Sequence, residues 1–164
     1  MLGKNAGGLF WLFRYLERSE NTARLVDVGF RLALTRPDEG QSDWESILET
    51  TFSKDSYLEA HEVIEAQAAI NYLLRDKTNP SSVISIMSAA RDNARLVRTA
   101  LTQEVWEAVN DGWLYVKEML ARPIRPADLL DTLTRIRQQS ALVRAALQSV
   151  SYTHLTLPTS PKVL

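Results

Sequence analysis

Apolar residues recur at spacings of three and four from Leu12 through Phe13, Leu16, Ala23, Val26 and Phe30, the stripe of an amphipathic helix. The pattern predicts one helix from about Gly7 to Thr35, stopped by Arg36-Pro37-Asp38-Glu39-Gly40. The opposite arc, roughly 120° wide at about 100° per residue, carries Arg14, Glu17, Arg18, Asn21 and Arg24. Phe10 precedes this cluster on the same arc, and Leu25, Val28 and Leu32 continue it. A helix apolar all round at both ends predicts that its polar arc is covered and its charges partly desolvated. Three arginines there exceed the one acid, so the surplus calls for counter-charge. Acids from neighbouring helices would supply it. So would a bound phosphate or carboxylate, which guanidinium groups grip in bidentate fashion.

The rest of the chain to about residue 148 also carries helical signals without strand alternation. Ser42 with Glu45 reads as a capping box for a short helix bearing Trp44, Ile47 and Leu48. Ser56 with Glu59 reads as a second, opening one helix through Leu58, Val63, Ile64, Ile70, Leu73 and Leu74. Asn79-Pro80-Ser81-Ser82 starts the next, over about 82–101, and Thr102 caps another that contains Trp106, Trp113, Val116 and Leu120, with Asn110-Asp111-Gly112 as a weak point. Arg122-Pro123-Ile124-Arg125-Pro126 precedes a last helix over about 127–148. Pro37, Pro80 and Pro123 are evenly spaced, but the segments between them do not align, so similar helix lengths explain the period better than a solenoid. The expectation is an all-α, up-and-down bundle of about five to six helices.

A second basic stripe, Arg91, Arg95 and Arg98, spans about 60° of the 82–101 helix. Asn93 lies among Ile86, Ala90, Leu96 and Val97, a buried amide in need of partners. Asp92-Asn93-Ala94-Arg95-Leu96-Val97 echoes Glu20-Asn21-Thr22-Ala23-Arg24-Leu25-Val26 with one residue deleted. Were the two stripes to face each other, six arginines would line one cleft; otherwise the second is a solvated face. His61-Glu62-Val63-Ile64-Glu65 has the outline of a zinc-protease helix with glutamate for its second histidine, and no other histidine before residue 150 completes a ligand set. No metal, no cofactor and no nucleophile-base pair is expected.

Composition narrows the classes. With a net charge of -1 there is no single-sign field for nucleic acid or an anionic membrane. The absence of cysteine rules out disulfides and thiolate chemistry. Neither a signal peptide nor a spanning segment is read, and a cytoplasmic setting is expected. From Val150 the period ends, and Val150 through Thr159 resembles, residue for residue, a translated sequencing-library adaptor. Residues 1–148 are therefore expected to be the native helical domain, and 149–164 an adaptor-derived tail.

Gly7-Gly8-Leu9-Phe10-Trp11 followed by Arg14-Tyr15-Leu16-Glu17-Arg18-Ser19-Glu20-Asn21-Thr22-Ala23-Arg24 resembles the amino-terminal signature of the bacterial alpha-E domain family. Asn79-Pro80-Ser81-Ser82-Val83, and Ala90-Arg91-Asp92-Asn93-Ala94-Arg95 with Trp106 and Asn110, resemble its middle section. The resemblance makes Arg14, Glu17, Arg18, Glu20, Asn21 and Arg24 the first motif, and Arg91, Asn93, Arg95 and Arg98 the second. It implies a truncated chain whose carboxy-terminal half, with a further Glu-Arg helix, is missing. It also implies company with a circularly permuted ATP-grasp protein, a transglutaminase-like protein and a proteasome-like peptidase, a set proposed to make or modify a peptide by amide ligation. Two roles follow as expectations: a helical accessory or scaffold, more an adaptor than an enzyme, whose arginines dock an acidic partner segment, or a catalytic or substrate-binding domain whose arginines hold an anionic peptide or phosphorylated intermediate.

Overall fold

The computed structural model describes residues 2–156, and for residues 2 and 150–156 the backbone alone. Among the described residues it is all helical, with α1 at Leu2–Thr35, α2 at Gly40–Thr50, α3 at Lys54–Ala60, α4 at Ala66–Leu74, α5 at Val83–Leu96, α6 at Gln103–Met119 and α7 at Leu129–Thr156. Short 3-10 turns precede α2, follow α5 and precede α7. Two starts are chemically capped where the sequence places them. Ser82 Oγ accepts from Ser85 N and Thr102 Oγ1 from Val105 N, each satisfying an amide that the first turn leaves without a partner.

Helices α1, α5, α6 and α7 form a four-helix bundle in which each packs against two others. Its up-and-down sense is fixed by cross-contacts. Asp27 and Glu20 of α1 meet Arg137 and Arg144 of α7 in reversed order, Arg98, in the turn after α5, and Arg91 of α5 meet Trp106 and Asn110 of α6 likewise, and Gly8 of α1 lies under Val97 just past the end of α5. Leu12 and Leu16 of α1, Met87 and Ala90 of α5, Val109 and Val116 of α6, and Leu133, Ile136 and Val143 of α7 are fully or almost fully buried. The segment α2–α3–α4 leans against α1, and Trp44, Leu48, Tyr57 and Leu73 extend the core there.

Two glycines let α1 approach its neighbours closely. A Cβ on Gly8 would stand 2.2 Å from Val97 Cγ1, and one on Gly29 would stand 2.4 Å from Ile47 Cδ1. Gly112, by contrast, sits within α6 without breaking it, and a Cβ there would meet only ordinary contacts.

The structure corrects several expectations about the elements: α1 begins at Leu2 rather than Gly7, and Ser56 lies inside α3 and caps nothing, its hydroxyl donating to Ser53 O. The single helix expected from Ser56 to Leu74 is two, because His61 turns extended at φ -135°, ψ 134°. The Tyr57 hydroxyl then donates to Val63 O at 3.1 Å and accepts from Glu65 N at 3.4 Å, occupying backbone groups that a continuous helix would use. Ser42 caps nothing, since α2 begins two residues earlier at Gly40. The 82–101 helix stops at Leu96 and tightens into a 3-10 turn. Helix α7 continues past Gln148 to Thr156. Of the expected tail, residues 157–164 lie outside the described residues. No helix among the described residues is long and apolar enough to cross a membrane.

Candidate functional site

The α1 cluster divides between two faces, and the charge that goes inside is an acid. Ser19 and Glu20 follow Leu16 onto the core side, where the Glu20 side chain is 4% exposed. Arg144 of α7 meets it twice: Nη2 donates to Oε2 at 2.9 Å, and Nε lies 2.8 Å from Oε1 as a charge contact without hydrogen-bond alignment. Arg24, one turn on, adds Nη2 at 3.4 Å and donates through Nη1 to Asn21 Oδ1. Ser19 and Ser140 hydroxyls face each other at 3.4 Å in the same layer, and Asp27 takes Arg31 at 2.6 Å and Arg137 at 3.6 Å. This polar seam joins α1 to α7.

The arc expected to be covered is open. Arg14, Arg18, Asn21 and Arg24 are exposed, as are Phe10 and Val28 before and after them. The arginine surplus inferred from the helical pattern therefore needs no buried counter-charge: water solvates it. Arg14 pairs with Glu17 at 3.0 Å. Arg18 reaches only the Ser81 hydroxyl, at 3.4 Å, and has no carboxylate partner among the described residues.

Arg14, Arg18 and Asn21 line one side of a groove of about 330 Å³, floored by Thr22 and Leu25 and closed by Ser81 and by Thr50-Thr51-Phe52 at the end of α2. Its far wall is tightly held. Asn79, buried, donates to Ser53 Oγ and Tyr72 O and accepts from Ser81 N, which fixes the loop carrying Ser81 to the start of α3. Lys54 Nζ bridges Glu45 at 2.7 Å and Glu49 at 2.8 Å, and those hydrogen bonds, to Glu45 first, hold its ammonium above the usual lysine range. Between these anchors Phe52 takes a left-handed φ of 57°. Its N donates to Glu49 O and Ser53 N to Leu48 O, the double bond that closes a helix end and favours glycine at the left-handed position. An L residue there costs about 1–2 kcal/mol. The Phe52 ring is nevertheless 90% exposed.

The second stripe does not face the first, so the six-arginine cleft is not formed. Arg91 Nε donates to Asn110 Oδ1 at 2.9 Å, and Arg98 lies 5.0 Å over the Trp106 ring. Both are turned to α6, away from the groove, while Arg95 is exposed. Asn93 finds the partner its position demands, donating to Gly8 O. The middle-section residues Trp106 and Asn110 are thus the partners of the second motif.

A larger concavity, about 1040 Å³, lies elsewhere, among α4, α5 and α6. It contains no residue of either motif. Its cations Arg75, Lys77 and Lys117 stand beside Asp76 and Glu118, and Arg75 is already committed to the carbonyls of Leu120 and Ala121. His61 borders it with its ring stacked 4.2 Å from that of Tyr57. The zinc-protease outline has no helical face to stand on, since residues 61–65 are not helical. Among the described residues, no group of three or more histidine, cysteine, aspartate or glutamate side chains is placed to hold a metal ion.

The motif's placement, with Glu17-Arg18 on a long first helix beside the Asn79–Ser82 loop, accords with a family whose model matches most of the chain. That family, Alpha-E, is described as a predicted alpha-helical domain with a conserved ER motif, and it matches residues 1–154. The chain belongs to the Alpha-E family. No curated protein and no solved structure matches it. In Alpha-E terms, Glu17 and Arg18 form the Glu-Arg pair of this chain. They do not bond to each other: Glu17 holds Arg14, and Arg18 turns to the groove.

Sequence reasoning missed Arg137, Arg144 and Phe52. The first two were discoverable. Arg137, Ser140 and Arg144 follow one another at spacings of three and four on the side of α7 that also carries Ile136, Val143 and Leu147. Phe52 gave no signal, because an aromatic residue is not a usual left-handed helix stop.

Proposed function

We propose that this Alpha-E chain is a helical docking module that receives an acidic segment of a partner protein in the groove of Arg14 and Arg18. The observation that carries the reading is the composition of that groove: two guanidinium groups and no carboxylate among its lining residues, with Arg18 left without an ionic partner among the described residues. A carboxylate entering there meets charge and a planar donor fork at little desolvation cost. Of the remaining arginines of the two motifs, Arg24 attends Glu20, Arg91 and Arg98 attend α6, and Arg95 is exposed outside the groove. That division favours an adaptor over a catalytic cleft. The partners proposed are the circularly permuted ATP-grasp and transglutaminase-like proteins of an amide-ligating peptide system, on the strength of the family resemblance.

Anisotropy titration of a labelled glutamate-rich peptide against the whole chain tests this. Binding that weakens with salt and falls about tenfold in Arg18→Ala, one charge-assisted pair's worth, is the expected result. Equal binding by the parent and an Arg14→Ala/Arg18→Ala double variant would overturn it.

A further inference from the structure

We infer that Phe52 is the anchor of this groove, and that the segment it receives carries an aromatic side chain beside its carboxylates. The inference rests on the docking reading and names what is docked. Two unfavourable features coincide at this residue. Its backbone is left-handed at φ 57°, and its ring is 90% exposed. Glycine or asparagine would close α2 through the same two backbone bonds without either, so the ring gives nothing to the fold that would offset them. Strain retained where neighbouring structure over-determines it points to use. The backbone that carries the ring is also fixed in advance: the helix-closing bonds, the Asn79–Ser53 contact and the Lys54 bridge all act within two residues of it. An aromatic presented from a fixed backbone has only its two side-chain torsions left to order on binding, which suits an interface hot spot.

The groove's chemistry selects the occupant. Leu25 and Phe52 supply apolar surface, Arg14 and Arg18 supply charge, and Thr50 and Ser81 supply hydroxyls. Its volume, about 330 Å³, is at the small end of ligand sites. One aromatic side chain flanked by carboxylates matches both its size and its polarity, with the guest ring edge-on or offset against Phe52.

The experiment compares two labelled peptides, Glu-Glu-Phe-Glu-Glu and Glu-Glu-Ala-Glu-Glu, on the full chain. The parent is expected to prefer the phenylalanine peptide by about tenfold, the worth of burying part of a ring. Phe52→Gly and Phe52→Asn are each expected to erase that preference while raising the melting temperature, a combination that a merely structural residue would not show. Equal affinity of the parent for both peptides, or a preference that survives in either variant, overturns the anchor while leaving the arginine docking intact. A parent that binds neither peptide overturns both.

Discussion

The echo between Glu20-Asn21-Thr22-Ala23-Arg24 and Asp92-Asn93-Ala94-Arg95 puts similar residues to opposite uses. Glu20 is buried, and its counterpart Asp92 is exposed; Asn21 is exposed, and Asn93 is half buried with its amide on Gly8 O. Arg24 joins the buried carboxylate, while Arg95 faces water. The single deletion between the two segments explains part of the inversion, because one residue turns a helix by about 100°. Packing supplies the rest: α7 brings Arg144 to the first segment, and the second lies where α5 passes under the start of α1. A side chain's role is set by the azimuth its helix gives it.

That contrast can be broken most sharply at its two acids. Glu20→Ala should cost about 3 kcal/mol of unfolding free energy, toward the low end for breaking a buried ion pair, since Arg144 is 29% exposed and can still reach water. Asp92→Ala should stay within about 0.5 kcal/mol of the parent. Urea midpoints of the two variants, measured side by side, check the pair, and equal losses would show that Glu20 is not the buried charge. Next in size, Asn93→Ala removes the bond to Gly8 O, a carbonyl that keeps its place in the α1 ladder, for about 1 kcal/mol. Asn21→Ala, its counterpart, should leave the urea midpoint almost unmoved. A smaller loss is expected at Arg98, where removing the contact with Trp106 should cost about 0.5 kcal/mol. Trp106 fluorescence would report it, with a shift in Arg98→Ala and none in Arg95→Ala.

The sequence made the helices legible because their signals are local. Ser82 and Thr102 cap through neighbours three residues away, and Asn93 announced its need for a partner by lying among Ile86, Ala90 and Val97. Glu20 was legible too, though the helical reading left it unplaced. It follows Leu16 by four and precedes Ala23 by three, so it belongs to the core stripe rather than to the polar arc where the arginines were counted. The apolar residues at the ends of that arc were then given too much weight: Phe10 and Val28 are 58% and 51% exposed. What could not be read was long-range. The break at 61–65 depends on how Tyr57 meets Val63 and Glu65, and the groove depends on a loop and a helix end arriving beside α1 from separate parts of the chain. The Glu-Arg motif gave one wall of that groove and no hint of the other.

Gly8 and Gly29 act on α1 as notches act on a key. They lie near opposite ends of the helix, about 32 Å apart at 1.5 Å per residue, and each admits a side chain, Val97 in one and Ile47 in the other. A slip of one residue along the axis would bring Val28 or Phe30 to the second notch and turn every motif residue by about 100°. The direction in which Arg18 points is thus decided ten and eleven residues away, by two positions that carry no side chain at all.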